Sequence, residues 1–253
     1  MSQSFDLYLA TETLADDAQQ LGVTPEALQQ ISVQVSATLV AQPEAYLQLQ
    51  LQYYVTLPSE SLAAQLNWPK WQADKVGFKD YLWEQTCLEC FLAGSLISSS
   101  SSKDNDKSPK TNMTMSYIEI NASPEGQYAL YEFDSYRSPT TLPPRPLMYA
   151  DGQTRAAIDW IDGNNPKLLI DYPISTHEPY HYQRSFRMPL DSSTSLNRKS
   201  DYSNDALIKY IHPCVILSFG ATILYFAPKH ASPPDFHNRQ YWTPFDRLAA
   251  LAK

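Results

Sequence analysis

Seven glycines in 253 residues leave little room for loops that cradle phosphate. Such loops bring backbone N–H groups up to the ligand, where a side chain would intrude. No Walker-type loop, dinucleotide-binding glycine pattern, nucleophile elbow or His-Glu-x-x-His motif occurs. Lysine and arginine never run beyond a dipeptide, and the formal net charge is −8. A nucleic-acid partner needs a basic footprint, and so does docking on anionic lipid, so both are excluded as expectations. No apolar stretch reaches the ~18 residues of a membrane span. The first twenty residues lack the basic and apolar regions of a secretion signal, which predicts a soluble, cytoplasmic protein. Its three cysteines (Cys87, Cys90, Cys214) cannot all pair, and in that compartment they are expected as reduced thiols. The sequon at Asn112 has no role there.

Aromatic side chains, by contrast, are plentiful: 17 Tyr, 9 Phe and 5 Trp. Aromatics suit half-buried pleated surfaces, so strand packing accounts for most of them and leaves a few for a ligand. The length suits one large β domain or two small ones.

The first thirty residues read as an irregular arm with one short helix at 25–30. There Thr24 is the N-cap, Pro25 occupies the first helical position and Glu26 lies in the first turn. Period-two alternation follows at 31–39 and 46–55, where Leu47, Leu49 and Leu51 face one way and Gln48, Gln50 and Gln52 the other. That pattern marks an antiparallel sheet with one wet face. Residues 57–80 read as a loop and 82–92 as a strand. The serine-rich stretch near 97–112 has too little apolar content to pack and is expected to be a disordered insertion. Segments 115–121 and 127–136 form a hairpin about the turn at 123–126. Pro-rich 138–149 is a loop. Further strands are expected at 155–162, 167–172, 181–190, 215–220 and 222–227, with a second helix opened by Thr243 and Pro244. With no βαβ rhythm, the expectation is an all-β, antiparallel, jelly-roll-like β-sandwich with two short peripheral helices. The sandwich spans 31–253 as a single domain.

Cys87-x-x-Cys90 has the spacing of a metal or redox pair, but on a strand positions i and i+3 point to opposite faces, so the sulfurs diverge. No metal site is expected. His177, His181, His212, His230 and His237 are scattered. The same parity is informative for the acids. Trp83, Cys87, Glu89 and Phe91 share one face of the strand at 82–92. Tyr117, Glu119 and Asn121 share one face of the next strand, with Ile118 and Ile120 opposite. Glu89, Glu119 and Asn121 therefore line one sheet face. An ordinary solvated face fits this pattern as well as a site does. Two carboxylates also raise the possibility of a glycosidase, but no independent mark of catalysis accompanies them.

Residues 82–92 (LWEQTCLECFL), 117–128 (YIEINASPEGQY) and 131–137 (YEFDSYR), with Pro234-Asp235-Phe236-His237 near the end, resemble the bacterial DOMON-like family, which is related to the family 9 carbohydrate-binding modules. The resemblance implies a β-sandwich that binds a saccharide on a concave sheet face or its rim, without catalysis. It implies Trp83 as a stacking platform, with Glu89, Glu119, Asn121 and Arg137 bonding hydroxyl groups. Haem-binding relatives use Met and His as axial ligands. His237 falls in a family motif here but no Met matches, so no cofactor is expected. The alternative expectation is an accessory domain whose motif residues serve the fold and a protein partner.

Overall fold

The structure, a computed structural model, describes residues 1–41, 47–94, 115–149, 151–161, 180–190 and 208–251. Its frame is one curled sheet, a half-barrel of mostly antiparallel strands. One half runs from β1 (Gln3–Leu9) through β2 (Ser32–Ala41) and β3 (Leu47–Leu57). The two-residue β8 (Asp159–Trp160) and β9 (Tyr180–Pro189) complete it. The other half is ordered β4 (Gly77–Phe78), β7 (Gln127–Phe133), β6 (Tyr117–Ala122), β5 (Cys87–Ala93), β10 (Tyr210–Phe219), β11 (Thr222–Ala227). The β4–β7 pair is parallel, and a short β12 (Thr243–Pro244) pairs with β10.

β1 joins the halves. Residues 3–7 pair with β2, whereas Tyr8 and Leu9 pair with β11. The arm expected at the N-terminus is therefore a central strand. The reason is the alternation of Phe5 and Leu7, both buried, with Ser4 and Asp6, which face water.

The main core lies between the halves. Val33, Val35, Leu49, Leu51 and Val55 meet Leu88, Cys90, Leu92, Ile118 and Ile120 there. The hydroxyl of Tyr53 crosses this core and donates to the Glu89 carbonyl at 2.9 Å. Cys87 belongs to a second cluster, on the opposite face of β5, with Phe91, Tyr117, Tyr131, Phe133 and Trp242. Cys87 and Cys90 thus lie on different faces, as strand parity requires.

Helix α2 (Pro25–Gln29) is capped by the Thr24 hydroxyl, which accepts from the Ala27 N–H at 3.3 Å. Four short α-helices occur among the described residues. The stretch read as a loop at 57–80 holds α3 (Glu60–Gln65), capped by Ser59, as well as β4. α1 (Leu14–Leu21) precedes α2. At the C-terminus Asp246, not Thr243, is the cap, and α4 is confined to Arg247–Ala250. Thr243 and Pro244 are drawn instead into pairing with β10.

The strand expected at 82–92 starts only at Cys87. Tyr81 adopts a left-handed conformation, φ 63°, and Leu82–Glu84 forms a 3-10 turn that folds over the sheet to bury Leu82. The strand expected at 155–162 shortens to β8. The expectations for 97–112 and 167–172 lie outside the described residues. The 123–126 turn forms as expected, with Gly126 at φ 121° and its carbonyl accepting from the Trp160 indole at 2.8 Å. No helix among the described residues is long and apolar enough to cross a membrane.

Candidate ligand-binding cleft

Register decides which side chains meet. Between β5 and β6, Glu89 opposes Asn121 and Phe91 opposes Glu119. Toward β7, Glu119 opposes Tyr131 and Tyr117 opposes Phe133. On the other side β10 sets Cys214 against Glu89 and His212 against Phe91. Ile216 in turn faces Tyr225 of β11. These residues are in phase, so they share one face across five neighbouring strands. Three irregular segments fold over that face: the 3-10 turn carrying Trp83, the Pro-rich loop at 137–144 and the stretch at 234–237. Together they enclose a cleft of about 420 Å³.

The floor of the cleft is acidic. Glu89 is 2% exposed and Glu119 5%, so the wet face that pattern alone allowed is in fact buried. Asn121, wholly buried, donates from Nδ2 to Glu119 Oε1 at 2.7 Å. Its own carbonyl accepts from the Cys87 thiol at 3.5 Å. Burial, and then repulsion from Glu119, hold the Glu89 carboxyl well above the usual carboxylate range. Burial also lifts Glu119 to about 7, against the opposing pull of Asn121 and Arg137. Burial thus favours the protonated form of Glu89, which can donate as well as accept, and Glu119 is divided between its two forms near neutral pH.

The wall of the cleft is aromatic. Tyr117 and Phe133 stack with centroids 4.7 Å apart, and the His237 ring stands edge-on to Phe91 at 5.0 Å and to Phe133 at 5.2 Å. Trp83 packs edge-on against Tyr81 and Tyr131. His237 Nδ1 lies 2.7 Å from the Tyr117 hydroxyl, which accepts the Arg137 N–H at 3.1 Å. This network is satisfied when the hydroxyl donates to Nδ1, which leaves the ring proton on Nε2, facing Glu119. Burial pushes His237 down to about 3. The imidazole is thus neutral, and its 3.8 Å approach to Glu119 Oε2 is a polar contact, not an ion pair.

The rim is held by Asp235. Its carboxylate accepts from the Arg137 guanidinium at 2.8 Å, the Tyr136 hydroxyl at 2.6 Å and the His237 N–H at 3.1 Å. Burial works against ionisation there, but the bonds from Tyr136 and Arg137 prevail and keep Asp235 below the usual range. Arg137 itself has φ 49°, a conformation that favours glycine.

Trp83, Glu89, Glu119 and Arg137 line the cleft. Asn121 does not line it and bonds Glu119 from the neighbouring position on the same face of β6. Arg137 is already engaged by Asp235, so its outward face is what remains for a ligand. Sequence reasoning gave no role to Asp235, Phe133, Phe236, Tyr225 or the loop at 139–144, all of which line the cleft. Their early signals were the Pro-Asp-Phe-His stretch, which holds Asp235 and Phe236, and the run at 131–137, which holds Phe133. No metal-holding cluster of His, Cys, Asp or Glu occurs among the described residues. No family model matches the chain, and no curated protein or solved structure does.

Proposed function

We propose that the chain is a non-catalytic ligand-binding module that holds a small saccharide, or a closely similar polyol, in the cleft on the curled sheet. One observation carries this reading. Trp83, Glu89, Glu119 and Arg137 come from three separated segments of sequence and line a single cleft, joined by Asp235 and His237 from a fourth. Its volume of about 420 Å³ falls within the ~300–1,000 Å³ of small-molecule sites. Sugars present apolar C–H faces and polar edges, and the cleft supplies aromatic walls over a polar floor. The choice of a saccharide rests on the residue resemblance to the DOMON-like family and its carbohydrate-binding relatives.

Two finer readings accompany it. The shared core between the halves of the sheet supports a jelly-roll-like β-sandwich. Three buried, unpaired thiols support a reducing, cytoplasmic location.

The test is calorimetric and NMR titration with a panel of mono- and disaccharides. The expected result is binding heat together with a shift of the Trp83 indole resonance. Silence across the whole panel by both methods overturns the proposal.

Paired acids in a cleft also favour a second reading, a glycoside hydrolase. That chemistry needs one protonated and one ionised carboxyl; burial here favours the protonated form of Glu89 and leaves Glu119 only partly ionised near neutral pH. Turnover of nitrophenyl glycosides that disappears in Glu89→Gln would establish the hydrolase and displace the binding module.

A further inference from the structure

The lining of the cleft is unbalanced in charge. Among the residues that form it, Arg137 is the one permanent cation. Its guanidinium is taken by Asp235 at the rim, where the Arg137 side chain is 53% exposed. Those two charges offset each other, and His237 is neutral. Glu89 and Glu119 are left over. Neither pairs with a lysine or arginine among the described residues.

Their placement makes them act together. Glu89 lies opposite Asn121, and Glu119 opposite Phe91, on adjacent strands and the same face. They are therefore diagonal neighbours, with Cα atoms about 7–8 Å apart, a span that one small group can bridge. The Asn121 bond fixes Oε1 of Glu119 and leaves Oε2 on the side of His237. Beside the Glu89 carboxyl is the Cys87 thiol, a weak donor whose one proton also faces the Asn121 carbonyl. Aromatic rings surround the pair: Trp83, Phe91, Phe133 and Phe236 all line the cleft, and ring faces attract a cation. A neutral hydroxyl group leaves the pair holding a proton. A compact cation with three N–H donors can bond both acids in their ionised form.

Resting on the saccharide reading above, we propose that the ligand is an amino sugar whose primary ammonium sits between Glu89 and Glu119, with the apolar face of its ring against the aromatic wall. The ammonium is the specificity-determining group, and the remaining hydroxyls reach His237 and the outward face of Arg137.

The test is calorimetry of the full chain near neutral pH with glucose, N-acetylglucosamine and glucosamine. Glucosamine is expected to bind at least about tenfold more tightly than either neutral sugar, the effect of a charged hydrogen-bond partner. Its binding heat is also expected to change with the ionisation enthalpy of the buffer, because bringing a cation to the pair expels a proton. In Glu119→Gln, and separately in Glu89→Gln, the preference for glucosamine over glucose collapses to within about threefold. Equal affinity for the three sugars, or a preference for the neutral ones, overturns the ammonium site and leaves the saccharide reading standing. Silence from these three and from the wider panel overturns both. The comparison of sugars uses the unaltered chain, so it holds even if a variant fails to fold.

Discussion

Asn121, two residues along β6 from Glu119 and on the same face, donates to its carboxylate at 2.7 Å while wholly buried itself. The bond pulls the acid toward ionisation, against the desolvation that dominates it. Asn121→Leu removes the donor and also strips the Cys87 thiol of its acceptor. The expected loss of stability is about 1–3 kcal/mol, the penalty for leaving a buried polar group unsatisfied. Urea denaturation measures it. Carboxyl-detected NMR should show Glu119 titrating higher than in the parent, and an unchanged titration would contradict this account of the floor.

The acid pair gives a signed dependence on pH. An acid whose folded value is raised contributes stability fully present below its unfolded value and lost as pH rises through the folded one. For Glu119 the window runs from 4.5 to about 7, and Glu89 extends it upward. A chain carrying both Glu89→Gln and Glu119→Gln is freed of that loss. Relative to the parent it should gain at least about 2 kcal/mol between pH 5 and pH 8, the share of Glu119 alone, with Glu89 adding to it. Stability curves that stay parallel across that range would refute the raised values. Groups shared by both proteins, Asp235 included, cancel in the difference.

Arg137 separates the effect of its side chain from that of its backbone. Arg137→Ala loses the half-exposed ion pair to Asp235, worth no more than about 1 kcal/mol, and keeps the unfavourable φ of 49°. Arg137→Gly loses the same ion pair but accepts that φ freely. It should be more stable than the alanine variant by about 1 kcal/mol, in spite of its greater freedom when unfolded. Thermal melts decide the order.

Removing residues 1–9 tests whether β1 is a detachable arm or a central strand. Phe5 and Leu7 each bury apolar surface worth about 1.5–3 kcal/mol, and both sheet halves would lose a paired edge. The truncated chain is expected to lose cooperative unfolding. A truncated chain with the parent melting temperature would show β1 to be dispensable.

Cys87, Cys90 and Cys214 are all buried, and burial raises each thiol. In the native state they should resist a thiol reagent on a timescale that labels exposed cysteine within minutes, then react together once the chain unfolds. Rapid labelling of the native protein would contradict their placement.

Much of this molecule was legible because strand periodicity is a local property. β2, β3, the β6–β7 hairpin and the divergence of Cys87 from Cys90 all follow from counting in twos. Local signals misled where a tertiary contact outweighed them. The run ahead of Cys87 looks like strand, yet Leu82 is claimed by the second core cluster and the chain turns to deliver it. Thr243 and Pro244 look like a helix start, yet the free edge of β10 binds them.

The sequence by itself determined an all-β chain and the face on which Glu89, Glu119 and Asn121 lie, since parity along a strand needs no knowledge of what packs on it. Only the tertiary structure decided whether that face is wet or dry. Glu89 and Glu119 are dry because Trp83, the loop at 137–144 and the stretch at 234–237, remote from one another in sequence, fold over them. That cover turns a pair of ordinary acids into a buried pair with raised proton affinity, facing a cleft that has no free cation among the described residues. Desolvation is a property of the whole surroundings, and no counting along the chain reports it.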